Sequence, residues 1–142
     1  MAQRTADAVW EGGLKDGKGN MKLGSGAWQG AYSFGTRFEE TPGTNPEELI
    51  GAALAGCFSM ALAAGLGRDG HQPQRIATTA KVHLEKQEAG FAITRIDLTT
   101  EGSVPGIDEA KFREAAEATK SACPVSKALG GVQISVDARL AG

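Results

Sequence analysis

Two thiols are the most reactive groups in this 142-residue chain: Cys57, in AGCF, and Cys123, in ACPVS. The nucleophilic form is the thiolate, and a thiol near its ordinary pKa of about 8.5 is only a few per cent ionised at neutral pH. Chemistry at either cysteine therefore needs a neighbour that favours the anion. The two lie 66 residues apart, too far for a CxxC redox motif or a compact metal site. Zinc takes four ligands, and beyond the cysteines the chain has two histidines, His71 and His83, which do not cluster with them. His83 alternates onto the solvent side of an expected strand, and His71 follows a glycine in an expected loop. Both read as surface residues, and neither a metal nor a cofactor is expected.

Cys57 sits in LIGAALAGCFSMALAAGLG, residues 49–67, which carries no charge. Length alone would allow a membrane span. Alanines and glycines dilute the larger apolar residues, however, and no aromatic belt or basic loop flanks the stretch. A helix that is apolar all round is otherwise a helix buried in protein. On that helix the commoner reading of one cysteine is a small core hydrophobe. Cys123 adds a second possibility. Pro124 falls at the first position of a new turn, which makes Cys123 its N-cap. A thiol there faces unpaired backbone N–H groups, which favour thiolate. Their spacing leaves open whether the two cysteines meet.

The elements that must position them follow from periodicity. Residues 3–10 alternate as an edge or half-buried strand. After the KDGKGN turn, the segments Met21–Gly24 and Tyr32–Phe38 read as strands on either side of GSGAWQG. A loop, EETPGTNP, leads into the first helix. Asn45 is its N-cap, Pro46 its first residue, and Glu48 is placed for a capping box. Glycine at 65 or 67 is the expected stop. In residues 75–86, Ile76, Thr78, Ala80, Val82 and Leu84 share one face, and FAITRIDLTTE is the hairpin partner. A second, amphipathic helix opens at Asp108 and places Phe112, Ala115, Ala116, Thr119 and Ala122 on one side. The last strand, VQISVDARL, turns Val132, Ile134, Val136, Ala138 and Leu140 inward. Strands grouped in runs indicate an α+β protein with a largely antiparallel sheet, a buried central helix and a second amphipathic one.

The length suits one domain, residues 1–142. A net charge of −2 argues against general nucleic-acid binding. The N-terminus, MAQRTADAVWEGG, shows no apolar h-region, so a cytoplasmic protein with reduced thiols is expected.

The run TRFEETPGTNPEELIGAALAGCFSMAL, together with ACPVS, resembles the OsmC/Ohr family of thiol-dependent peroxidases. The NPEELIGAA wording and the longer N-terminal section resemble the OsmC branch more than the Ohr branch. The likeness spans nearly the whole chain, from AVWEG through VPGID to the last strand. It implies an intertwined α+β homodimer with its active sites at the interface. It also implies an enzyme of oxidative and osmotic stress defence that reduces organic hydroperoxides, and hydrogen peroxide less well, to alcohol and water. By motif position, Cys57 matches the peroxidatic nucleophile and Cys123 the resolving cysteine, joined in a disulfide after a Cys57 sulfenic acid. Arg37, in TRFE, matches the arginine that stabilises thiolate and leaving group, and Glu47, in NPEE, the carboxylate that orients it. The implied partners are a hydroperoxide substrate and a thiol reductant, a lipoylated protein being the kind Ohr-type members use. Neither nucleic acid nor membrane is implied.

The chemistry agrees with this likeness. An arginine within about 4–6 Å favours an ionised thiol by about 1–3 pKa units. A sulfenic acid condenses with a second thiol, and a bidentate carboxylate fixes the guanidinium fork. Taken singly, Arg37 reads as a solvent-facing strand residue and Glu47 as a helix-dipole partner. The competing function is a dimeric stress-related binding protein whose buried cysteines are inert. Trp10, Trp28, Tyr32, Phe34, Phe38 and Phe58 are expected in the core or around an apolar pocket.

One distance bears on the assembly. Glu47 and Cys57 are ten residues apart, about 15 Å along a helix axis. One arginine can hardly serve both from a single straight helix. If two copies of this helix cross antiparallel near residue 52, Glu47 of one copy comes level with Cys57 of the other. Gly51, Ala52, Ala55 and Gly56 are small enough for a close crossing.

Overall fold

The computed structural model describes residues 2–141 and divides into two compact units, which meet in sequence at Leu49 and Ile50. In the first, β1 (Ala6–Glu11), β2 (Lys18–Leu23) and β3 (Gln29–Tyr32) form an antiparallel sheet in chain order. All of β1 is exposed at this sheet's edge. β2 begins at Lys18, inside the stretch expected to turn; the turn is tighter and lies between Gly12 and Gly17.

The expected strand over Tyr32–Phe38 is not one. The chain leaves the sheet after Tyr32, and Phe34–Phe38 is a short helix, α1. The cause is a capping box: Thr36 N–H donates to Ser33 Oγ at 3.2 Å, and Ser33 N–H donates to Thr36 Oγ1 at 2.9 Å. Phe34 and Phe38, one helical turn apart, bring their rings to 5.1 Å.

Helix α2 (Pro46–Arg68) starts where the sequence places it, with Glu48 N–H donating to Asn45 Oδ1 at 2.7 Å. The Glu48 carboxylate does not complete a capping box; it accepts from Thr44 Oγ1 at 2.8 Å instead. The helix runs past Gly65 and Gly67 and turns at Gly70, whose φ of 87° needs glycine.

In the second unit β4 (Arg75–Gln87) and β5 (Gly90–Ser103) form a long antiparallel hairpin with an irregularity between His83 and Leu84. Helices α3 (Glu109–Ala122) and α4 (Pro124–Ala128) then carry the chain across to β6 (Gln133–Leu140), which pairs with β5 in parallel. A parallel neighbour requires such a crossover. The fold is α+β, antiparallel except for that last pair.

The core of this unit is built on a stripe of α2, Leu54, Phe58, Leu62 and Leu66, at four-residue spacing. Ile96 and Leu98 from β5, Val104 just beyond it, Phe112 and Ala116 from α3, Cys123, and Ala138 from β6 complete it. Two glycines let the layers close. A Cβ on Gly51 would stand 3.1 Å from Val82, and one on Gly102 would strike the Phe112 ring at 2.5 Å. A chain of hydroxyls crosses the packed layer, from Ser59 to Thr78 at 2.7 Å and from Thr78 to the fully buried Thr100 at 2.9 Å. On α3 the expected inward face holds for Phe112, Ala116 and Thr119, but Ala122 is exposed, since the helix ends there. The opposite side of α2 is exposed among the described residues. Ala52, Ala53, Gly56 and Ala64 are exposed, and Met60 is 79% exposed. By length and composition α2 could cross a membrane, but its Leu54–Leu66 stripe is already committed to a protein core.

Candidate active site

Cys57 precedes Phe58 on α2 and lies on the flank of the buried stripe, half-buried. Cys123 closes α3 and opens α4. Its N–H donates to Thr119 O at 3.0 Å, and its own carbonyl accepts from Lys127 N–H at 2.9 Å. Pro124 forces this break, as expected, because proline fits the first turn of a new helix but not the interior of the old one. The two elements bring the sulfurs together: the Cys123 thiol donates to Cys57 Sγ across 2.8 Å. Both cysteines are free thiols.

The electrostatics of Cys123 correct one expectation. Burial pushes its thiol up from the usual range, and its hydrogen bond to Cys57 pushes the same way. The N–H groups of Ser126 and Val125 at the start of α4 pull it down, as the N-cap position implied, but they are outweighed. Cys123 is therefore held as a neutral S–H donor.

Arg37 and Glu47 form a second pair, within the first unit. Arg37 is on α1, not on a strand, and its Nε donates to Glu47 Oε1 at 2.7 Å. The Glu47 side chain, in the first turn of α2, is 8% exposed, and that of Arg37 is 40% exposed. The expected bidentate fork is absent. Glu47 Oε2 is buried with no protein partner, and both Nη groups of Arg37 are without a carboxylate among the described residues. The guanidinium carbon lies 5.1 Å from the centre of the Phe38 ring.

Beside Arg37 the first unit holds a cavity of about 260 Å³ walled by Trp10, Leu14, Tyr32, Phe34 and Phe38, with Ser33. Four of the six singled-out aromatics thus surround one space. Phe58 is fully buried in the other unit's core, and Trp28 lies over Gly30.

Sequence reasoning missed a polar cluster on the second unit's sheet. His83 is not a bare surface residue: its Nε2 lies 2.8 Å from Asp97 Oδ2. Ser135 Oγ donates to Asp97 Oδ1 at 2.7 Å, and Arg95 Nε to Oδ2 at 3.2 Å. These contacts, Ser135 first and His83 second, hold the Asp97 carboxyl down at about 2. The signal lay in strand register, which sets Asp97 opposite Ser135 and two pairs from His83, on the same face of the sheet.

An α+β chain with a thiol on its apolar central helix, meeting a second thiol at a helix break, is a two-cysteine protein of a recognisable kind. Residues 38–137 match the family described as OsmC-like protein, and the chain belongs to that family. It is 51% identical to peroxiredoxin OsmC of Escherichia coli K12 over 96% of each chain. It is 33% identical to an organic hydroperoxide resistance protein of Xanthomonas axonopodis pv. citri over 63% of this chain and 61% of that one. Among solved structures it is similar to the organic hydroperoxide resistance protein OhrB of Bacillus subtilis. The TM-score is 0.73 at 27% identity, over 96% of this chain and 98% of the other.

Proposed function

We propose that this protein is a thiol-dependent peroxidase that reduces organic hydroperoxides, and hydrogen peroxide less well, in oxidative and osmotic stress defence. The observation that carries this reading is the 2.8 Å approach of Cys57 and Cys123 from positions 66 residues apart. Relatives named as peroxiredoxin and organic hydroperoxide resistance protein support it. The Cys57 thiolate attacks the terminal oxygen of ROOH. The O–O bond breaks, Cys57 becomes a sulfenic acid, and the departing RO⁻ takes a proton to leave as alcohol. Arg37, oriented by Glu47, stabilises the thiolate and the developing alkoxide. Cys123 then gives up its proton and attacks the sulfenic sulfur, forming the disulfide and releasing water. An external dithiol, for which a lipoylated protein is our candidate, returns both cysteines to thiols. We place this cycle in the cytoplasm, in a homodimer of one OsmC-like domain per chain.

Mass spectrometry after one equivalent of cumene hydroperoxide tests the assignment. The wild-type protein should lose both thiols to an intramolecular disulfide. Cys57→Ser should not consume peroxide, and Cys123→Ser should gain one oxygen on Cys57 and overoxidise with excess peroxide. A first oxygen on Cys123 would reverse the roles, and two thiols that survive peroxide would make this a binding protein with inert cysteines.

A further inference from the structure

In the proposed cycle α2 carries the attacking sulfur, so the rotation of this helix about its axis sets where that sulfur lies. Its inward stripe, Leu54, Phe58, Leu62 and Leu66, is apolar, and such packing is non-directional. Gly51 lets the helix lie close to Ala80 and Val82 of β4. Among the described residues, two side-chain hydrogen bonds tie α2 to other elements of the second unit. One is the contact between Cys123 and Cys57 at 2.8 Å. The other is Ser59 Oγ, which donates to Thr78 Oγ1 on β4 at 2.7 Å.

The anchor on the sheet is itself fixed. Thr78 and Thr100 are cross-strand partners in the β4–β5 hairpin, and their hydroxyls share a hydrogen bond at 2.9 Å. Thr100 is fully buried. Cys57 and Ser59 stand one residue to either side of the buried Phe58, so they point about 100° from it in opposite senses. One flank of the stripe meets the sheet, and the other meets the junction of α3 and α4. Turning α2 by about 10° carries a side-chain atom about 5–6 Å from the axis through roughly 1 Å. A displacement of that size weakens a hydrogen bond steeply, and at a reacting centre it can cost about 10²-fold.

We propose that Ser59 is a positioning residue for disulfide formation: its bond to Thr78 fixes the rotation of α2 and holds Cys57 in line with Cys123. This rests on the peroxidase reading. Peroxide attack by Cys57 needs no second sulfur and is insensitive to the tether. In the step that follows, the Cys123 sulfur bonds to the sulfenic sulfur and the S–O bond breaks. The hydroxyl leaves as water with the Cys123 proton. A second hydroperoxide competes for the same sulfenic acid, giving sulfinic acid and alcohol. A loosened α2 therefore shifts the partition from disulfide towards sulfinic acid.

The reduced protein is mixed with excess cumene hydroperoxide, and mass spectrometry reads the ratio of Cys57 sulfinic acid to Cys57–Cys123 disulfide. Ser59→Ala should raise that ratio about fivefold, the order of one hydrogen bond's net worth, with the rate of first oxidation unchanged. Ser59→Thr, which keeps the hydroxyl, should restore the wild-type ratio. Thr78→Val should act like Ser59→Ala, and the double variant should be no worse than either. Thr100→Val is the control for a loosened core: it should lower the melting temperature and leave the ratio near wild type. The equilibrium between the two thiols and oxidised dithiothreitol is measured in parallel, without peroxide. There Ser59→Ala should shift the balance about fivefold towards the thiols. A sulfinic ratio and an exchange constant both unmoved by Ser59→Ala, or moved as far by Thr100→Val, would overturn the positioning role. If peroxide leaves both thiols intact while the exchange constant still depends on Ser59, the positioning stands and the peroxidase reading falls.

Discussion

The Cys123 thiol donates to Cys57 across 2.8 Å, so negative charge on Cys57 is met by an S–H that burial keeps protonated. In the proposed cycle that asymmetry divides the labour between two chemically identical side chains: the half-buried sulfur attacks and the fully buried one waits. It was only half legible beforehand. Pro124 fixed the cap position from sequence, but the sign of its effect depended on burial, which the 66 intervening residues conceal. The same holds for Arg37. Its match to TRFE placed it, yet nothing local revealed that Glu47 would take only Nε and leave both Nη groups free of carboxylate. Those two groups make a planar donor pair that an ammonium cannot reproduce. Arg37→Lys is expected to lower kcat/KM for cumene hydroperoxide by about tenfold or more with the fold intact by circular dichroism. A rate that stays near wild type would remove the fork from the chemistry.

Among the elements, the long periodic ones were legible and the short or long-range ones were not. The start of α2 follows from Asn45 and Pro46, and the inward faces of β6 and of β4 as far as Val82 follow from alternation, which the irregularity after His83 interrupts before Leu84. Helix α1 was hidden because Tyr32, Phe34 and Phe38 alternate like a strand, whereas the Ser33–Thr36 box makes them helical. The Asp97 cluster was hidden because it joins three strands. It has a consequence for acid stability. A carboxyl held near 2 in the folded protein, against an ordinary 3.8, stabilises the fold above its unfolded-state pKa. That stabilisation is lost as pH falls from about 4 towards 2. The melting-temperature gap between wild type and Asp97→Asn should therefore be open at about pH 6 and shrink progressively below about pH 4. A gap independent of pH would mean that the Asp97 charge contributes nothing.

At the scale of the whole molecule, α2 buries one apolar stripe and leaves Ala52, Ala53, Gly56, Met60 and Ala64 exposed. In the proposed homodimer a second α2 covers that side, and an antiparallel crossing near residue 52 sets Glu47 of one chain beside Cys57 of the other. Co-refolding Cys57→Ser with Glu47→Ala subunits tests this: mixed dimers should regain about half the wild-type rate if the sites act independently. Mixed dimers no more active than either parent would place both residues in one chain's site. The meeting of Cys57 and Cys123 has a further, topological meaning. A bond between them closes a ring of chain that contains β4, β5 and α3 entire, while β6 lies outside it. The proposed cycle ties and unties this ring at every turnover. Tying it deprives the unfolded chain of freedom worth about 4 kcal/mol in chain-entropy terms. A molecule waiting for its reductant is thus harder to unravel than one waiting for peroxide, so the protein is most durable at the point in the cycle when oxidant has just been met.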